Sequence, residues 1–263
     1  MMQHIRLDRD GRVATVTFDR PDQLNAMNRR MMDEITATFE ALSDDDQIGA
    51  IVVTGAGKAF MAGADIKEYA AQTEPEFDAF QAAGERMYRA LEDNRQPVIA
   101  AVNGFALGGG FEMVLVCDIV IASDRAKFGL PEIKLGLVPG GGGTQRSVRK
   151  LGRNRAQYLL LTGGIFPAAD FLACGFVQDI TGPDALLPRA NELAAGIAAE
   201  PAAAVQALKR LTALALIPDP APGMAEERAT VTALYRSPEG AARVRAFSEA
   251  SAARAAARTQ GPI

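Results

Sequence analysis

Short runs of β-branched and small apolar residues, each bounded by turn residues, place the strongest constraint on the fold of this chain. They are Gly49–Gly57 (GAIVVTGAG), Pro97–Gly104 (PVIAAVNG) and Cys117–Ser123 (CDIVIAS). Such runs, closed by glycine or polar residues, are typical of buried strands. Apolar residues at helical spacing precede or separate them, at residues 29–45 and 74–94. This alternation of strands and helices predicts an α/β core that extends to about residue 180.

The two ends of the chain have a different pattern. Residues 4–21 alternate between apolar and polar side chains around Asp10 and Gly11, which predicts a β-hairpin. From about Ala185 to Arg258 the residues are mainly Ala, Leu, Glu and Arg, with breaks at prolines. This composition predicts a set of helices without strands.

Composition and charge argue against several classes of protein. The 263 residues are 48% hydrophobic and 23% charged, with a formal net charge of −4, so nothing favours a polyanionic partner such as nucleic acid. The N-terminus lacks the apolar core of a signal peptide, and no stretch reaches the ~18 uninterrupted apolar residues of a membrane span. We therefore expect a cytoplasmic protein of bacterial type. Cys117 and Cys174 have apolar neighbours in the sequence, which predicts reduced cysteines in the core.

The only histidine, His4, limits the chemistry that side chains could perform. A Ser-His-Asp triad, a Cys-His pair or a His-rich metal site would need this residue near the end of the chain. Carboxylates or backbone groups are therefore the expected catalytic groups, and no metal site is predicted. The glycine-rich stretches TGAGKAF and ALGGGFE match neither the phosphate-loop nor the dinucleotide-binding spacing.

Two segments place backbone N–H groups ahead of a predicted helix. In Lys58–Tyr69 (KAFMAGADIKEY), Asp65 and Glu68 have the spacing of a helix N-terminus with Asp65 as its cap. The N–H of Ala64 would precede that helix, and the N–H of Gly109 would precede a second helix after the glycines of ALGGGFEM. If both point at one place they form an oxyanion hole, whereas the alternative is two ordinary glycine turns.

Glu112 stands in an otherwise apolar run, where an ionised carboxylate is costly unless it is paired or catalytic. Burial would also raise its pKa towards neutrality, which favours proton transfer. A glutamate that faces solvent or pairs with an arginine is the alternative. Glu132 follows Pro131 in a predicted turn, which could direct its side chain back towards Glu112. The alternative is an ordinary glutamate in a surface turn.

Several of these segments together resemble the signature segments of the crotonase superfamily, the enoyl-CoA hydratase/isomerase family. The matching stretches are AFMAGADIKEY, NGFALGGGFEMVLVCDIVIAS and AKFGLPEIKLGLVPGGGGTQR, supported by RPDQLNAMN near the start and EGAARVRAF near the end. The resemblance covers essentially the whole chain. It implies an α/β fold with a crotonase-like spiral of β-β-α repeats over residues 1–195 and a C-terminal helical trimerisation region over residues 196–263. A homotrimer or a homohexamer, as a dimer of trimers, is the implied assembly.

The resemblance also implies a site. Ala64 and Gly109 would supply the N–H groups of the oxyanion hole, and Glu112 and Glu132 would be the catalytic residues. No metal or other cofactor is expected, because coenzyme A arrives as part of the substrate. The residues expected to contact the acyl-CoA are Leu24, Asn25, Ala26, Ala64, Asp65, Ile66, Lys67, Gly109 and Gly140.

The implied reaction is the addition of water across the 2,3-double bond of an enoyl-CoA thioester. In the family's usual division of roles, Glu112 would orient and deprotonate the water while Glu132 supplies a proton to C2. Family members with other activities typically lack one of the two glutamates, so the pair favours hydration. The alternatives are an enoyl-CoA isomerase, or a hydratase for a substituted substrate such as 3-methylthioacryloyl-CoA, whose product then undergoes thioester hydrolysis.

A binding role is a further alternative, since some relatives associate with RNA through a lysine-rich helix. The corresponding segment here, RRMMDEITATFEALSDDD, contains no lysine, so RNA binding is disfavoured. Two departures from the family pattern concern the phosphates of coenzyme A. Asp22 and Gln23 replace a commonly basic residue, and the C-terminal segment AFSEASAARAAARTQ has alanine and arginine where lysines are frequent.

Overall fold

A computed structural model describes residues 2–70, 72–216, 221–238 and 242 of the chain. The chain divides into two compact units, Met1–Ala199 and a second that begins at Glu200. The roles expected for residues 1–195 and 196–263 stay predictions. The C-terminal segment expected near the coenzyme A phosphates lies outside the described residues.

The secondary structure follows the predicted alternation in the first unit. The strands are β1 (Ile5–Asp10), β2 (Val13–Phe18), β3 (Ala50–Gly55), β4 (Ala59–Met61), β5 (Val98–Val102), β6 (Phe105–Leu107), β7 (Ile119–Ser123), β8 (Lys127–Gly129), β9 (Ile165–Pro167) and β10 (Asp179–Thr181). The helices are α1 (Arg29–Ser43), α2 (Ile66–Ala70), α3 (Glu74–Glu92), α4 (Gly109–Val116), α5 (Gly143–Leu151), α6 (Arg153–Thr162), α7 (Ala168–Leu172), α8 (Pro183–Ala198), α9 (Ala202–Leu214) and α10 (Ala221–Arg236). Short 3-10 turns span Pro21–Gln23 and Glu132–Leu135.

Six strands form the larger sheet in the order β1-β2-β3-β5-β7-β10. The predicted hairpin is confirmed: β1 and β2 pair antiparallel, with Asp10 opposite Val13. The remaining pairs in this sheet are parallel. The three apolar runs of the sequence are therefore neighbouring central strands, and β3 and β5 are almost wholly buried.

Four short strands form a second sheet in the order β4-β6-β8-β9. Successive pairs, β3 with β4, β5 with β6 and β7 with β8, each place their first strand in the larger sheet and their second in the smaller one. A helix follows each pair. The chain therefore advances as a spiral of β-β-α repeats, and the loops after β4 and β6 come to lie side by side, because these strands pair in parallel.

Capping residues in the sequence explain where helices α1 and α3 begin. The Asn28 side chain caps α1 by accepting a hydrogen bond from the N–H of Met31 at 2.9 Å. Thr73 and Glu76 form a capping box at the start of α3. The buried face of α3 follows helical spacing: Phe80, Ala83, Gly84, Met87, Tyr88 and Leu91.

Aromatic side chains fill the core between the two sheets and α4. Phe111 of α4 packs against Phe128 of β8 and Phe171 of α7, with ring centroids 5.3 and 5.5 Å apart. The opposite face of the larger sheet is covered by α8, which buries Leu186, Ala190, Ala194 and Ala198 at every fourth position. The aromatic contacts therefore pack α4 against β8 and α7.

One expectation about the core is wrong. Cys117 is buried as predicted, but Cys174 is exposed. It lies in the turn after α7, where Phe171 and Phe176 point inward and the residues between them face solvent.

No helix among the described residues has both the length and the hydropathy needed to cross a membrane.

Candidate active site

A cleft of about 360 Å³ opens where the loops after β4 and β6 meet α3. Its wall includes Ala64, Gly109, Glu112, Glu132 and Gly140, five of the residues that the sequence singled out. These residues come from separate segments of the chain. The sequence alone could not bring them together, whereas the parallel pairing of β4, β6 and β8 does.

The backbone around Ala64 leaves its N–H free. Met27 donates its N–H to the carbonyl of Gly63 and accepts from the N–H of Asp65, both at 2.8 Å. This parallel bridge uses the groups on either side of Ala64, so the N–H of Ala64 points away from Met27.

Gly109 is the first residue of α4, so its N–H has no intrahelical partner. A Cβ on Gly109 would lie 4.0 Å from the nitrogen of Ala64, which places the two residues side by side. Among the described residues, neither of these two N–H groups donates a hydrogen bond to another protein atom. Two free donors at one wall, one of them at the positive end of a helix, suit a negatively charged oxygen.

The neighbouring glycines serve two different purposes. Gly108 has φ 52° and ψ −125°, a conformation that side chains disfavour. Gly110 packs so closely on β4 that a Cβ would lie 1.9 Å from the carbonyl oxygen of Met61. The run of glycines is therefore required to bring the start of α4 against β4, where Gly109 reaches Ala64.

Glu112 is 3% exposed and lies in the first turn of α4. Its Oε1 accepts hydrogen bonds from the N–H of Gly141 at 2.8 Å and of Gly143, the first residue of α5, at 2.7 Å. Burial, together with the negative charge of Glu132, raises the pKa of Glu112 to about 7 in spite of those bonds. A carboxyl group of this kind exchanges protons readily near neutral pH.

Glu132 begins the 3-10 turn after Pro131 and is partly buried. Its Oε1 would lie 3.1 Å from a Cβ on Gly108, so the carboxylate is beside the loop that leads to Gly109. Its Oε2 is buried and has no hydrogen-bond partner among the described residues. Burial raises the pKa of Glu132 as well. Both glutamates therefore face the cleft, and the negative charge of each disfavours ionisation of the other.

The remaining predicted contact residues divide into two groups. Ile66 and Gly140 line the cleft. Those outside its lining are Leu24, Asn25, Ala26, Asp65 and Lys67. Leu24 and Lys67 are exposed beside the cleft, whereas Asn25 is fully buried.

Asp65 performs the capping role that the sequence predicts, since its Oδ1 accepts from the N–H of Lys67 at 3.2 Å. Its other oxygen pairs with Arg20 at 3.1 Å. Glu68 does not complete a capping box; it accepts from the N–H of Arg29 at 3.0 Å instead. The segment after Ala64, at the start of α2, is thus tied to the start of α1.

Two further residues at the site were missed in the sequence. The buried hydroxyl of Tyr88 donates to the carbonyl of Gly109 at 3.0 Å, and burial raises the pKa of Tyr88. Arg146 of α5 donates to the carbonyl of Gly141 at 2.7 Å. The spacing of Phe80, Gly84 and Tyr88 on one helix face was the available signal for Tyr88, whereas Arg146 offered none.

The model of the enoyl-CoA hydratase/isomerase family matches residues 8–250 of this chain. The chain belongs to the enoyl-CoA hydratase/isomerase family. It is 42% identical to a probable enoyl-CoA hydratase of Mycobacterium tuberculosis over 93% of this chain and 95% of that protein. It is also 41% identical to a short-chain-enoyl-CoA hydratase of Clostridium acetobutylicum, over 80% of each chain.

Solved structures agree with this membership. An enoyl-CoA hydratase of Bacillus anthracis matches with a TM-score of 0.91 and 32% identity, covering 94% of this chain and 96% of that one. A Geobacillus kaustophilus enoyl-CoA hydratase subunit matches with a TM-score of 0.88 and 37% identity, covering 94% and 95%. The predicted crotonase-like spiral is confirmed.

Proposed function

We propose that this family member is an enoyl-CoA hydratase that uses Glu112 and Glu132 together with the N–H groups of Ala64 and Gly109. The observation that carries the proposal is one cleft that holds two carboxyl groups of raised pKa and two backbone N–H groups without a hydrogen-bond acceptor among the described residues. The names of the relatives support the same reaction.

The geometry suits the charges that hydration creates. The thioester oxygen of the substrate gains negative charge as water adds, and the N–H groups of Ala64 and Gly109 would stabilise it. Glu112 takes a proton from the water while the oxygen of that water bonds to C3 of the substrate, and Glu132 gives a proton to C2. Water then restores the protonation of the pair, so the net change is the addition of one water molecule. The two carboxyl groups act as one coupled unit.

The coenzyme A portion of the substrate would extend from the cleft along the loops that carry Leu24, Ala26, Ile66 and Lys67. Asn25 would contribute through its backbone and by shaping the loop, since its side chain is buried. Asp65 would hold the loop through Arg20. The reaction needs no metal or redox cofactor, because the backbone supplies the polarising groups and the carboxylates move the protons.

The protein would work in the cytoplasm as a homotrimer or a dimer of trimers, without nucleic-acid or membrane partners. Exposed apolar side chains on the first unit, such as Leu161, are consistent with such an assembly. No particular feature of the cleft favours an isomerase, or a hydratase specialised for 3-methylthioacryloyl-CoA. Relatives named as hydratases favour the simpler reaction.

The decisive experiment follows the loss of absorbance of the conjugated thioester with crotonyl-CoA, longer enoyl-CoA esters and 3-methylthioacryloyl-CoA. Glu112→Gln and Glu132→Gln should each lower turnover by about 10²-fold or more, because each removes a proton-transfer group. Glu85→Gln is the matched control, since Glu85 is an exposed residue of α3. Near-normal turnover in either cleft variant would remove that residue from the mechanism, and an inactive wild type would overturn the proposal.

A further inference from the structure

Arg146 contacts the loop that holds Glu112. Its Nη1 donates to the carbonyl oxygen of Gly141 at 2.7 Å, and the N–H of the same Gly141 donates to Oε1 of Glu112 at 2.8 Å. Gly141 is thus held from both sides, by the guanidinium on one and by the carboxylate on the other. One glycine therefore links Arg146 to Glu112.

Arg146 is itself fixed by Glu92, the last residue of α3. Its Nε and Nη2 donate to the two carboxylate oxygens of Glu92 at 2.9 and 2.5 Å. The side chain of Arg146 is 19% exposed and that of Glu92 is 43% exposed, so the arginine is largely buried while the carboxylate of this two-bond pair remains accessible to solvent. The hydrogen bond to Glu92 raises the pKa of Arg146, and Arg146 lowers that of Glu92 against the effect of its partial burial.

The charged and titratable groups around Glu112 come from three elements. Helix α3 contributes Tyr88 and Glu92, and the turn after β8 begins with Glu132. Helix α5 contributes Arg146, and its Arg149 and Lys150 lie close to Glu92. Burial and Glu132 oppose ionisation of Glu112, whereas the positive charge of Arg146 favours it. Arg146 therefore offsets part of the cost of a buried carboxylate.

We propose that Arg146, held by Glu92, is a positioning residue of the reaction. It fixes Gly141, and Gly141 in turn directs the ionised Glu112 carboxylate at the water that adds to the substrate. This inference rests on the hydratase activity proposed above. Arginine suits the position because its planar fork makes two bonds to Glu92 while a third N–H reaches Gly141. A lysine would keep the charge without this geometry.

The test compares Arg146→Lys, Arg146→Met and Glu92→Gln with the wild type in the hydratase assay. Each should lower kcat on the order of 10-fold to 100-fold with KM changed by less than about threefold, because the Glu112 carboxylate is misplaced while the cleft walls stay in position. In Arg146→Met the acidic limb of the kcat/KM profile should also move to higher pH, because Glu112 loses a nearby positive charge. In Arg146→Lys that limb should stay near its wild-type position.

Arg189→Lys is the matched control. Arg189 of α8 also pairs with two carboxylates, Asp179 and Glu192, but it lies outside the cleft lining. Its kinetics and pH profile should equal those of the wild type. Wild-type kcat and pH profile in Arg146→Met would overturn the inference. Glu92→Gln retains Arg146 and its charge, so it provides the test of positioning if Arg146→Met does not fold.

A measurement without substrate separates this inference from the proposed activity. In protein labelled with ¹³C at glutamate carboxyl carbons, the Glu112 signal is assigned by its loss in Glu112→Gln. Its titration should move to higher pH in Arg146→Met, and an unchanged titration would overturn the inference. An inactive wild type would end the proposed function, and the NMR titration would then decide the role of Arg146 alone.

Discussion

Glu112 is 3% exposed and is the one acidic or basic residue among the buried residues that the structure describes. Two backbone N–H groups stabilise its charged form, but burial outweighs them and raises its pKa to about 7. The same feature that prepares the carboxyl group for proton transfer must therefore lower the stability of the fold at neutral pH.

That cost gives a pH-dependent prediction. The pKa of Glu112 is raised in the folded state, so the folded protein binds the proton more tightly, and this part of the stability is lost as pH rises from about 4.5 to about 7. Between pH 5 and pH 8 the free energy of unfolding of Glu112→Gln should rise by roughly 2 to 3 kcal/mol relative to the wild type. Urea titrations at both pH values measure it, and parallel curves for the two proteins would contradict it.

Asn25 shows how one buried amide organises the loop beside the site. Its backbone is left-handed, with φ 56°, and Asn adopts this conformation more readily than most residues. Its side chain accepts from the N–H of Arg20 at 2.8 Å and donates to the carbonyls of Ala56 and Ala59 at 3.0 and 2.8 Å. The side chain thus fixes the loop from which Met27 reaches Ala64.

Asn25→Asp should destabilise the protein by about 3 kcal/mol or more, because a carboxylate cannot donate to those carbonyls and its charge would be buried. Thermal melts detect this as a lowered Tm. Asn28→Asp is the control, since Asn28 caps α1 as an acceptor and aspartate does so equally well. Equal Tm values for the two variants would refute the role of the Asn25 amide.

At the scale of elements, α4 carries both an N–H donor and a catalytic candidate. Gly109 and Glu112 lie within its first turn, and the close approach of Gly110 to Met61 seats that turn against β4. The position of α4 therefore sets the distance between the two N–H groups of the candidate site.

Gly110→Ala should destabilise the fold by about 3 kcal/mol or more, because the new Cβ would lie 1.9 Å from a backbone oxygen that cannot yield. Gly196→Ala provides the comparison. Gly196 lies within α8, and an added Cβ would meet nothing within 4 Å. That change should stabilise the protein by about 0.5 to 1 kcal/mol. Chemical denaturation of both variants tests the contrast, and a stable Gly110→Ala protein would contradict the packing.

At the scale of the whole molecule, several large apolar side chains of the first unit are left uncovered. Leu135 is 64% exposed, Val138 73% and Leu161 70%. Isolated exposed apolar residues are common in monomers, but residues this large and this exposed are frequent where copies of a chain meet. Leu135 and Val138 also line the cleft, so Leu161 is the exposed residue that supports the self-association implied by the family resemblance.

Sedimentation velocity should therefore give a species of three or six times the 27.8 kDa of one chain. The measurement belongs at micromolar protein and moderate salt, since burial of apolar surface is insensitive to screening. A single 27.8 kDa species would contradict the predicted assembly.

The sequence alone was sufficient for the α/β class, the hairpin, the central strands and the candidates Ala64, Gly109, Glu112 and Glu132, because apolar runs, glycine turns and capping residues act locally. The family resemblance added the spiral and the pairing of Glu112 with Glu132. Only the tertiary structure showed that Asn25 is buried, that Cys174 is exposed and that Arg146 reaches Gly141. These depend on which loops and helices meet in space, and sequence spacing does not encode the contact of Glu92 at the end of α3 with Arg146 in α5.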